Sequence, residues 1–293
     1  MPTSQAVALV DNGDVDYLPT DFDPYSPLVP NGRLDRDYGP GSANARAGRQ
    51  RYFLPPLAGV DYIVFNTKRP LFRDLNLRRA VNYALDRRAL ATAFRDTPTD
   101  HIIPLYLPGR PAGHAYPIDG PDLVTARRLA GRRNRVAVLS YCASIPRSVA
   151  EIVRANLSRI GIAVSIVSSP RCDKNPLAER ADLSLGSSGT VERDPVAFVE
   201  EMLSSGHLGD HLGPGPWNEP SFRRRLEQAR SLRADDRGSG AARLADEVAR
   251  ELAPFAVFGN WLHPDYVSAR VGCKLYQAHY QFVDLGALCV QRP

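Results

Sequence analysis

Two histidines lie four residues apart in the segment GHLGDHLGPG and could bind one metal ion. On a helix, the spacing of His207 and His211 would direct both imidazoles towards the same ion. However, the glycines and the proline of this segment favour a loop, and no glutamate follows His207 as the HExxH motif of zinc proteases requires. We therefore expect no metal site in this segment.

The sequence contains no motif for covalent catalysis or phosphate binding. The small-residue segment Gly186–Gly189 (GSSG) fits neither the GxSxG nucleophile turn nor the phosphate-binding loop, which needs a Gly-Lys pair. None of the four cysteines lies in a CxxC pair or has a local nucleophile motif. The sequence therefore predicts no catalytic residue and no cofactor, and we expect that the protein is not an enzyme.

The cysteines bear on the redox compartment instead. They are Cys142, Cys172, Cys273 and Cys289. If the protein is exported, we expect at least one disulfide, and we favour Cys273 with Cys289 because both lie in a carboxyl-terminal segment with little core of its own. Buried free thiols are the alternative, and the spacing alone leaves it open.

Length, composition and charge place the chain among globular proteins. Its 293 residues suffice for one large domain or two, and 43% of them are hydrophobic. The net charge of +5 comes almost wholly from arginines that are scattered along helices, so we expect no nucleic-acid partner. No apolar stretch reaches the length of about 18 residues that suggests a membrane-spanning helix.

The elements that would position any site are clearest in the middle of the chain. The spacing of apolar residues predicts a strand over Val60–Phe65 and then a helix over Leu75–Leu85. A strand over Arg135–Tyr141, a helix over residues 148–160 and a strand over Ile162–Ser168 form a βαβ unit, whose two strands should be parallel. We expect the strands at Val60, Val136 and Ile162 to share one sheet.

Later elements are shorter. Asp194 and Pro195 indicate the start of a helix, because proline favours the first helical position. Two arginine-rich helices are predicted over residues 221–232 and 241–252, and the segment APFAVFGNWL predicts a buried strand. Residues 1–56 are rich in loops, and we do not expect them to fold alone.

One block of the sequence resembles a known family. YIVFNTKRPLFRDLNLRRAVNYALDRRAL is similar to the segment that identifies the family 5 extracellular solute-binding proteins, the peptide- and nickel-type receptors of ATP-binding cassette importers. The corresponding residues are Asn66, Thr67, Pro70, Phe72, Asp74, Arg78, Arg79, Ala80, Ala84, Asp86 and Arg87. DGPDLVTARRLA, IVRANLSRIGIAV and RDPVAFV also resemble segments of that family, so the resemblance covers nearly the whole chain.

The resemblance implies an α/β fold of the type II periplasmic-binding-protein class. We expect a lobe with a parallel-strand core over residues 57–252, flanked by remnants of a second lobe over residues 1–56 and 253–293. The second of these segments would contain the return strand. The hinge between the lobes would include Val60, Asn66, Thr67 and Phe258, although Asn66 and Thr67 could equally be residues that only cap and turn the chain.

The resemblance also implies function and location. The protein would bind a peptide or another small solute between two lobes and deliver it to the permease subunits of an importer. Such receptors lie outside the cytoplasm, in the periplasm or at the outer membrane surface. The first 24 residues lack the features of a signal peptide, so the chain would be cytoplasmic if Met1 is the genuine start.

Compared with the family pattern, the chain looks truncated at its amino end, and three other interpretations follow. A cytosolic solute-sensing regulatory domain would carry the same lobe, but no helix-turn-helix precedes residue 60. A non-functional fragment is the second, and an in-frame first lobe upstream of Met1 would argue against it. A hydrolase is the third, and the lack of catalytic motifs disfavours it.

The segment before Asp194 is the expected ligand site. It follows a predicted strand over Asp182–Leu185, and binding sites in open α/β sheets lie beyond strand ends. Peptide receptors of this family often carry an aspartate shortly before Asp-Pro that pairs with the peptide amine, and here that place falls on Val191 or Glu192. The expected ligand-binding residues are Gly186, Ser187, Ser188, Thr190, Glu192 and Arg193.

Overall fold

The computed structural model describes residues 3–18, 28–170, 180–190, 192–204, 216–277 and 282–291. The chain divides into two compact units. The large unit is Gly59–Asn260, and the small unit combines Met1–Ala58 with Trp261–Pro293. Within the described ranges, none of the helices has the length and apolarity needed to cross a membrane.

The secondary structure of the described residues is mixed. The helices are α1 Thr3–Asn12, α2 Arg33–Tyr38, α3 Ala43–Arg46, α4 Leu75–Ala84, α5 Arg87–Phe94, α6 Leu123–Ala130, α7 Arg147–Ser158, α8 Pro195–Ser204, α9 Pro220–Arg230 and α10 Ala234–Glu247. The strands are β1 Tyr17–Leu18, β2 Tyr52–Phe53, β3 Pro56–Phe65, β4 Thr97–Pro98, β5 Arg135–Cys142, β6 Ile162–Ser169, β7 Leu183–Gly189, β8 Phe255–Leu262, β9 Asp265–Val267, β10 Val271–Gly272, β11 Tyr276–Gln277, β12 Phe282–Val283 and β13 Cys289–Val290.

The large unit is built on a mixed sheet in the order β4-β8-β3-β7-β5-β6. Strand β5 runs parallel to both β6 and β7, whereas β3 is antiparallel to β7 and β4 is antiparallel to β8. The predictions that the strands at Val60, Val136 and Ile162 share one sheet, and that β5 and β6 are parallel, are confirmed. The large unit therefore has the predicted α/β fold, with parallel strands in its sheet.

One face of this sheet is covered by α4 to α7. Helix α7 buries Val149, Val153 and Leu157 in a core that also contains Leu139 and Ile162 of the sheet. Gly161 has φ +78°, a left-handed conformation that favours glycine, so the chain can turn directly from the helix into β6. The predicted βαβ unit therefore forms through burial of the apolar stripe of α7.

A second core lies in the same unit and involves the later helices. Phe198 of α8, Phe222 of α9 and Leu244 of α10 are buried together with Val60 and Val257. The helix predicted from residue 241 begins earlier, at Ala234, and a short π-helical turn over Val248–Leu252 follows it. Strand β8, which the sequence-based division placed after residue 252, is an interior strand of the sheet because its buried side chains complete both cores.

Aspartates fix the starts of three helices in the large unit. Asp74 accepts a hydrogen bond from the amide of Asn76 at 2.9 Å, and Asp86 accepts one from the amide of Ala89 at 3.0 Å. Asp194 accepts one from Val196 at 2.9 Å, with Pro195 as the first residue of α8. These bonds satisfy amides that lack helical partners, and at Asp194 and Pro195 the sequence predicted the helix start.

Two arginines of the family-like block are buried structural residues. Arg78 donates hydrogen bonds to the carbonyls of Leu252 and Phe72, at 2.7 Å and 2.8 Å. Arg87, with 0% exposure, donates to the carbonyls of Val257 and Asn82 at 2.8 Å and 2.7 Å. The block that carries the resemblance therefore joins α4 and α5 to the chain around β8, rather than presenting these arginines to solvent.

The small unit has its own core and a disulfide. Val10, Leu34, Tyr52 and Tyr266 are buried together, so residues before 57 pack with residues after 260. Cys273 and Cys289 form a disulfide, which is the predicted pair. Cys142, in the large unit, is disulfide-bonded as well.

Candidate functional site

The segment Gly186–Gly189 is a strand rather than the expected loop. It continues β7 and pairs with β3 in a register that places Gly189 opposite Gly59 and Ser187 opposite Asp61. The expectation that the strand ends at Leu185 is therefore wrong. The cause is the long strand β3, which offers β7 backbone partners as far as Gly189.

The small residues of this strand have a packing role at Gly186. A β-carbon there would lie 2.7 Å from Cε2 of the Tyr62 ring, which is closer than real contacts allow. Tyr62 is itself buried, at 1% exposure. The close approach of β7 to Tyr62 therefore requires glycine at this position, whether or not a ligand binds nearby.

Asp61 and Asp96 form a buried acidic pair that was not predicted from the sequence, and Ser187 hydrogen-bonds to the first of them. The Ser187 hydroxyl donates to Oδ1 of Asp61, which is only 2% exposed. Asp96, beside β4, interacts with Asp61 and lies so close to Gly259 of β8 that no β-carbon fits there. The signal in the sequence was the single charged residue in the otherwise apolar run VDYIVF, which had been assigned to a strand only.

The acidic pair holds a proton more tightly than exposed aspartates do. Burial raises the pKa of Asp96 well above its ordinary value of 3.8, and the nearby Asp61 carboxylate raises this pKa further. Two adjacent buried carboxylates repel each other, so the uptake of one proton relieves the repulsion. This pair can therefore hold a proton or face a cation near the end of β7 where ligand binding was expected.

We expect the Asp96→Asn substitution to stabilise the protein at pH 7 by several degrees in thermal midpoint. Because its folded pKa is raised, Asp96 favours folding at low pH and loses that contribution as pH rises from about 4 through the raised pKa. Asparagine has no such proton to lose. Thermal unfolding from pH 4 to pH 8 should therefore show that the midpoint of Asp96→Asn exceeds that of the wild type by an amount that increases with pH.

The matched control is Asp235→Asn, which changes an exposed aspartate of the same unit. It should shift the midpoint little at any pH, because an exposed carboxylate stays hydrated in both states. If the difference in thermal midpoint between Asp96→Asn and the wild type stays constant with pH, the proton is not held by this pair.

The remaining predicted ligand residues follow β7. The Thr190 hydroxyl accepts a hydrogen bond from the amide of Glu192 at 2.9 Å, which forms a tight turn. Glu192 and Arg193 are exposed, and Val191 lies outside the described residues. Asp194 then pairs with Arg237 of α10 at 2.5 Å, so it serves the start of α8 rather than solvent.

The residues predicted for the hinge lie in two places. Val60 stands opposite Ser188, and both Val60 and Phe258 are buried close to the points where the chain passes between its units, at residues 58–59 and 260–261. Asn66 and Thr67 lie at the far end of β3, where Asn66 donates to the carbonyl of Ala181 at 2.9 Å. The structure thus does not bring these two together with Val60.

His207 and His211 lie outside the described residues.

Comparison with known proteins identifies relatives along the chain. A family model described as "Bacterial extracellular solute-binding proteins, family 5 Middle" matches residues 1–210. Heme-binding protein A of Haemophilus influenzae is 23% identical over 209 residues, which are 67% of this chain and 38% of that protein. The family match covers more than half of the chain.

Solved structures share the fold. HbpA2 from Haemophilus parasuis superposes with a TM-score of 0.77 at 15% identity, over 99% of this chain and 56% of that one. The open form of MppA, a periplasmic murein tripeptide binding protein, gives 0.77 at 18% identity, over 98% of this chain and 55% of that one.

This chain covers only part of the length of these relatives. The chain spans between 38% and 56% of the length of these three proteins. Because the matching family model covers most of the chain and the fold agrees, the chain belongs to the family 5 bacterial extracellular solute-binding proteins.

Proposed function

We propose that this chain is part of the substrate-binding component of an ATP-binding cassette importer and binds peptides or similar small solutes. The observation that carries the proposal is the family match over residues 1–210. The bound solute would be delivered to permease subunits. We infer that the large unit, Gly59–Asn260, is the lobe expected over residues 57–252, and that the small unit is part of the other lobe.

The disulfides support a location outside the cytoplasm. Cys273 pairs with Cys289, and Cys142 is also bonded. Disulfides persist in oxidising compartments and are rare in the cytosol. The proposed location is therefore the periplasm or the outer surface of a membrane, and a cytosolic sensor is disfavoured.

The turn after β7 would contact the ligand. Gly186, Ser187 and Ser188 pair with β3 along one edge of β7, and we infer that they position the turn. Thr190, Glu192 and Arg193 remain as the ligand-contacting residues. The two exposed charges suit the charged ends of a peptide, because charge-assisted hydrogen bonds are roughly twice as strong as neutral ones.

The hinge would be formed where β3 and β8 carry the chain between the units. Val60 and Phe258 flank these points, and their burial would keep the strands paired while the backbone beyond them bends. Asn66 and Thr67 are better assigned to the turn that leads from β3 to α4, since Asn66 also accepts a hydrogen bond from the amide of Lys68 at 3.2 Å.

Calorimetric titration tests the proposal. The protein is titrated with a library of short peptides, a murein tripeptide and hemin, the last two because of the names of the relatives. We expect binding of at least one member with micromolar or better affinity, weakened about tenfold by Glu192→Ala or Arg193→Ala, which is the effect of losing roughly 1.4 kcal/mol.

Arg224→Ala is the matched control, because it removes the same charge as Arg193→Ala from an exposed position on α9. It should leave every affinity unchanged. If Glu192→Ala and Arg193→Ala also leave every affinity unchanged, the turn after β7 does not line the site. A protein that binds no member of the panel contradicts the proposed function itself.

A further inference from the structure

Three metal-ligand side chains converge within the large unit, away from the turn after β7. Asp100 and His101 lie two and three residues after the end of β4, and His114 lies in the loop that precedes α6. One ligand atom from each residue lies within 4.8 Å of the others. Oδ1 of Asp100 is 2.6 Å from Nδ1 of His114 and 3.7 Å from Nε2 of His101. We call these residues the Asp-His-His cluster.

The protein backbone holds the carboxylate of this cluster in place. Oδ2 of Asp100 accepts hydrogen bonds from the amides of Ala115 and Tyr116, at 2.6 Å and 2.8 Å. These bonds occupy one oxygen and leave Oδ1 for the two imidazoles. Such outer contacts orient metal ligands in known sites.

The cluster is buried on one side and open on the other. The side chains of Asp100 and His101 are 1% and 8% exposed, whereas that of His114 is 53% exposed. An ion could therefore enter past His114 and keep a water molecule on the open side. Two imidazoles, one carboxylate and one water form a common four-ligand set for zinc.

We propose that the Asp-His-His cluster binds a divalent transition-metal ion, with zinc as the best fit. Ligand atoms placed at tetrahedral angles about 2.0–2.1 Å from zinc are about 3.3 Å apart. The observed separations from Oδ1 of Asp100, 2.6 Å and 3.7 Å, lie on either side of this value, and the ligand atoms of the two histidines lie within 4.8 Å of each other, so small side-chain movements would admit the ion. Calcium and magnesium prefer oxygen ligands and fit less well.

Binding requires a change of tautomer at His114. While Nδ1 of His114 donates its proton to Asp100, its lone pair is not available to a metal ion. When the ion binds, the proton moves to Nε2 on the exposed side of the ring. The hydrogen bond between His114 and Asp100 is then replaced by one bond from each residue to the metal ion.

Nearby positive charge sets an upper limit to the affinity. Arg87 and Arg110 both interact electrostatically with Asp100, and Arg110 donates to Thr99 at 3.1 Å. These charges oppose a second cation. We therefore expect micromolar zinc affinity rather than the tighter binding of a closed structural site.

Zinc titration of the chelator-treated protein tests the inference. Calorimetry should show one zinc ion bound per chain with a micromolar Kd, and cobalt should give the visible absorption of a tetrahedral site. The His114→Ala variant should bind at least ~10-fold more weakly. His114 is the residue to change first, because Asp100 also holds the loop backbone.

His207→Ala/His211→Ala is the control, since these two histidines have the other metal-like spacing in the chain. It should leave the zinc affinity of the protein unchanged. Absence of micromolar zinc binding, wild-type affinity in His114→Ala, or loss of binding in the control would each overturn the inference. No solute is present in these titrations, so their outcome is independent of the proposed transport function.

Discussion

The Arg87→Ala substitution is expected to lower the free energy of unfolding of the large unit by about 3–5 kcal/mol. The Arg87 guanidinium donates to the carbonyls of Val257, Asn82 and Pro117, and also to the side-chain oxygen of Asn82 at 2.8 Å. Each buried acceptor that loses its donor costs roughly 1–3 kcal/mol. The removed side chain also leaves a cavity beside Tyr116, whose ring lies 5.4 Å from the guanidinium carbon.

Urea unfolding followed by circular dichroism measures this loss. The matched control is Arg88→Ala, which removes the neighbouring charge from α5. Arg88 pairs with Asp119 on the surface, where their side chains are 66% and 87% exposed, so its loss should cost less than about 1 kcal/mol. Equal stability of the two variants would show that the buried hydrogen bonds of Arg87 contribute little to folding.

Arg87→Lys separates charge from geometry. Lysine keeps the positive charge but has no planar fork, so it cannot reach Val257 and Asn82 together as the guanidinium does. We expect an intermediate loss, nearer to that of alanine. This result would identify the arginine of the family-like block as a structural crosslink between α5 and the chain around β8.

The features that the sequence predicted well were local. The apolar stripe of α7 and the start of α8 at Asp194 and Pro195 each act over a few residues, so spacing alone reveals them. The parallel pairing of β5 and β6 followed from the helical crossover between them. Such features need no knowledge of which distant segments meet.

The errors and omissions were non-local. Whether β7 ends at Leu185 or at Gly189 depends on the length of β3, more than a hundred residues away in sequence. The acidic pair joins Asp61 of β3 to Asp96, and the Asp-His-His cluster joins β4 to a later loop. Composition and periodicity carry no record of these encounters, so the sequence could mark Asp61 as an unusual charge in an apolar run but could not show that it meets Asp96.

Removal of the Cys273–Cys289 disulfide is expected to open the carboxyl-terminal strands of the small unit. The bond closes a loop with a sequence separation of 16, and chain entropy gives such a link about 3 kcal/mol. Among the described residues of this segment, Val271 and Val283 are buried, whereas Leu285 and Val290 are 64% and 72% exposed. The covalent link is therefore the main constraint on β10 and β13.

Hydrogen exchange of individual amides measures the opening. The amide of Gln291 donates to the carbonyl of Arg270, and that of Asp284 donates to Leu275, both at 2.7 Å. In the Cys273→Ser/Cys289→Ser protein these two amides should exchange about 100-fold faster, which corresponds to a loss of about 3 kcal/mol. Cys142→Ser, which breaks a disulfide of the large unit, should leave their exchange unchanged. Unchanged protection in the double variant would mean that strand pairing alone, between Val271–Gly272 and Cys289–Val290, holds this end of the chain.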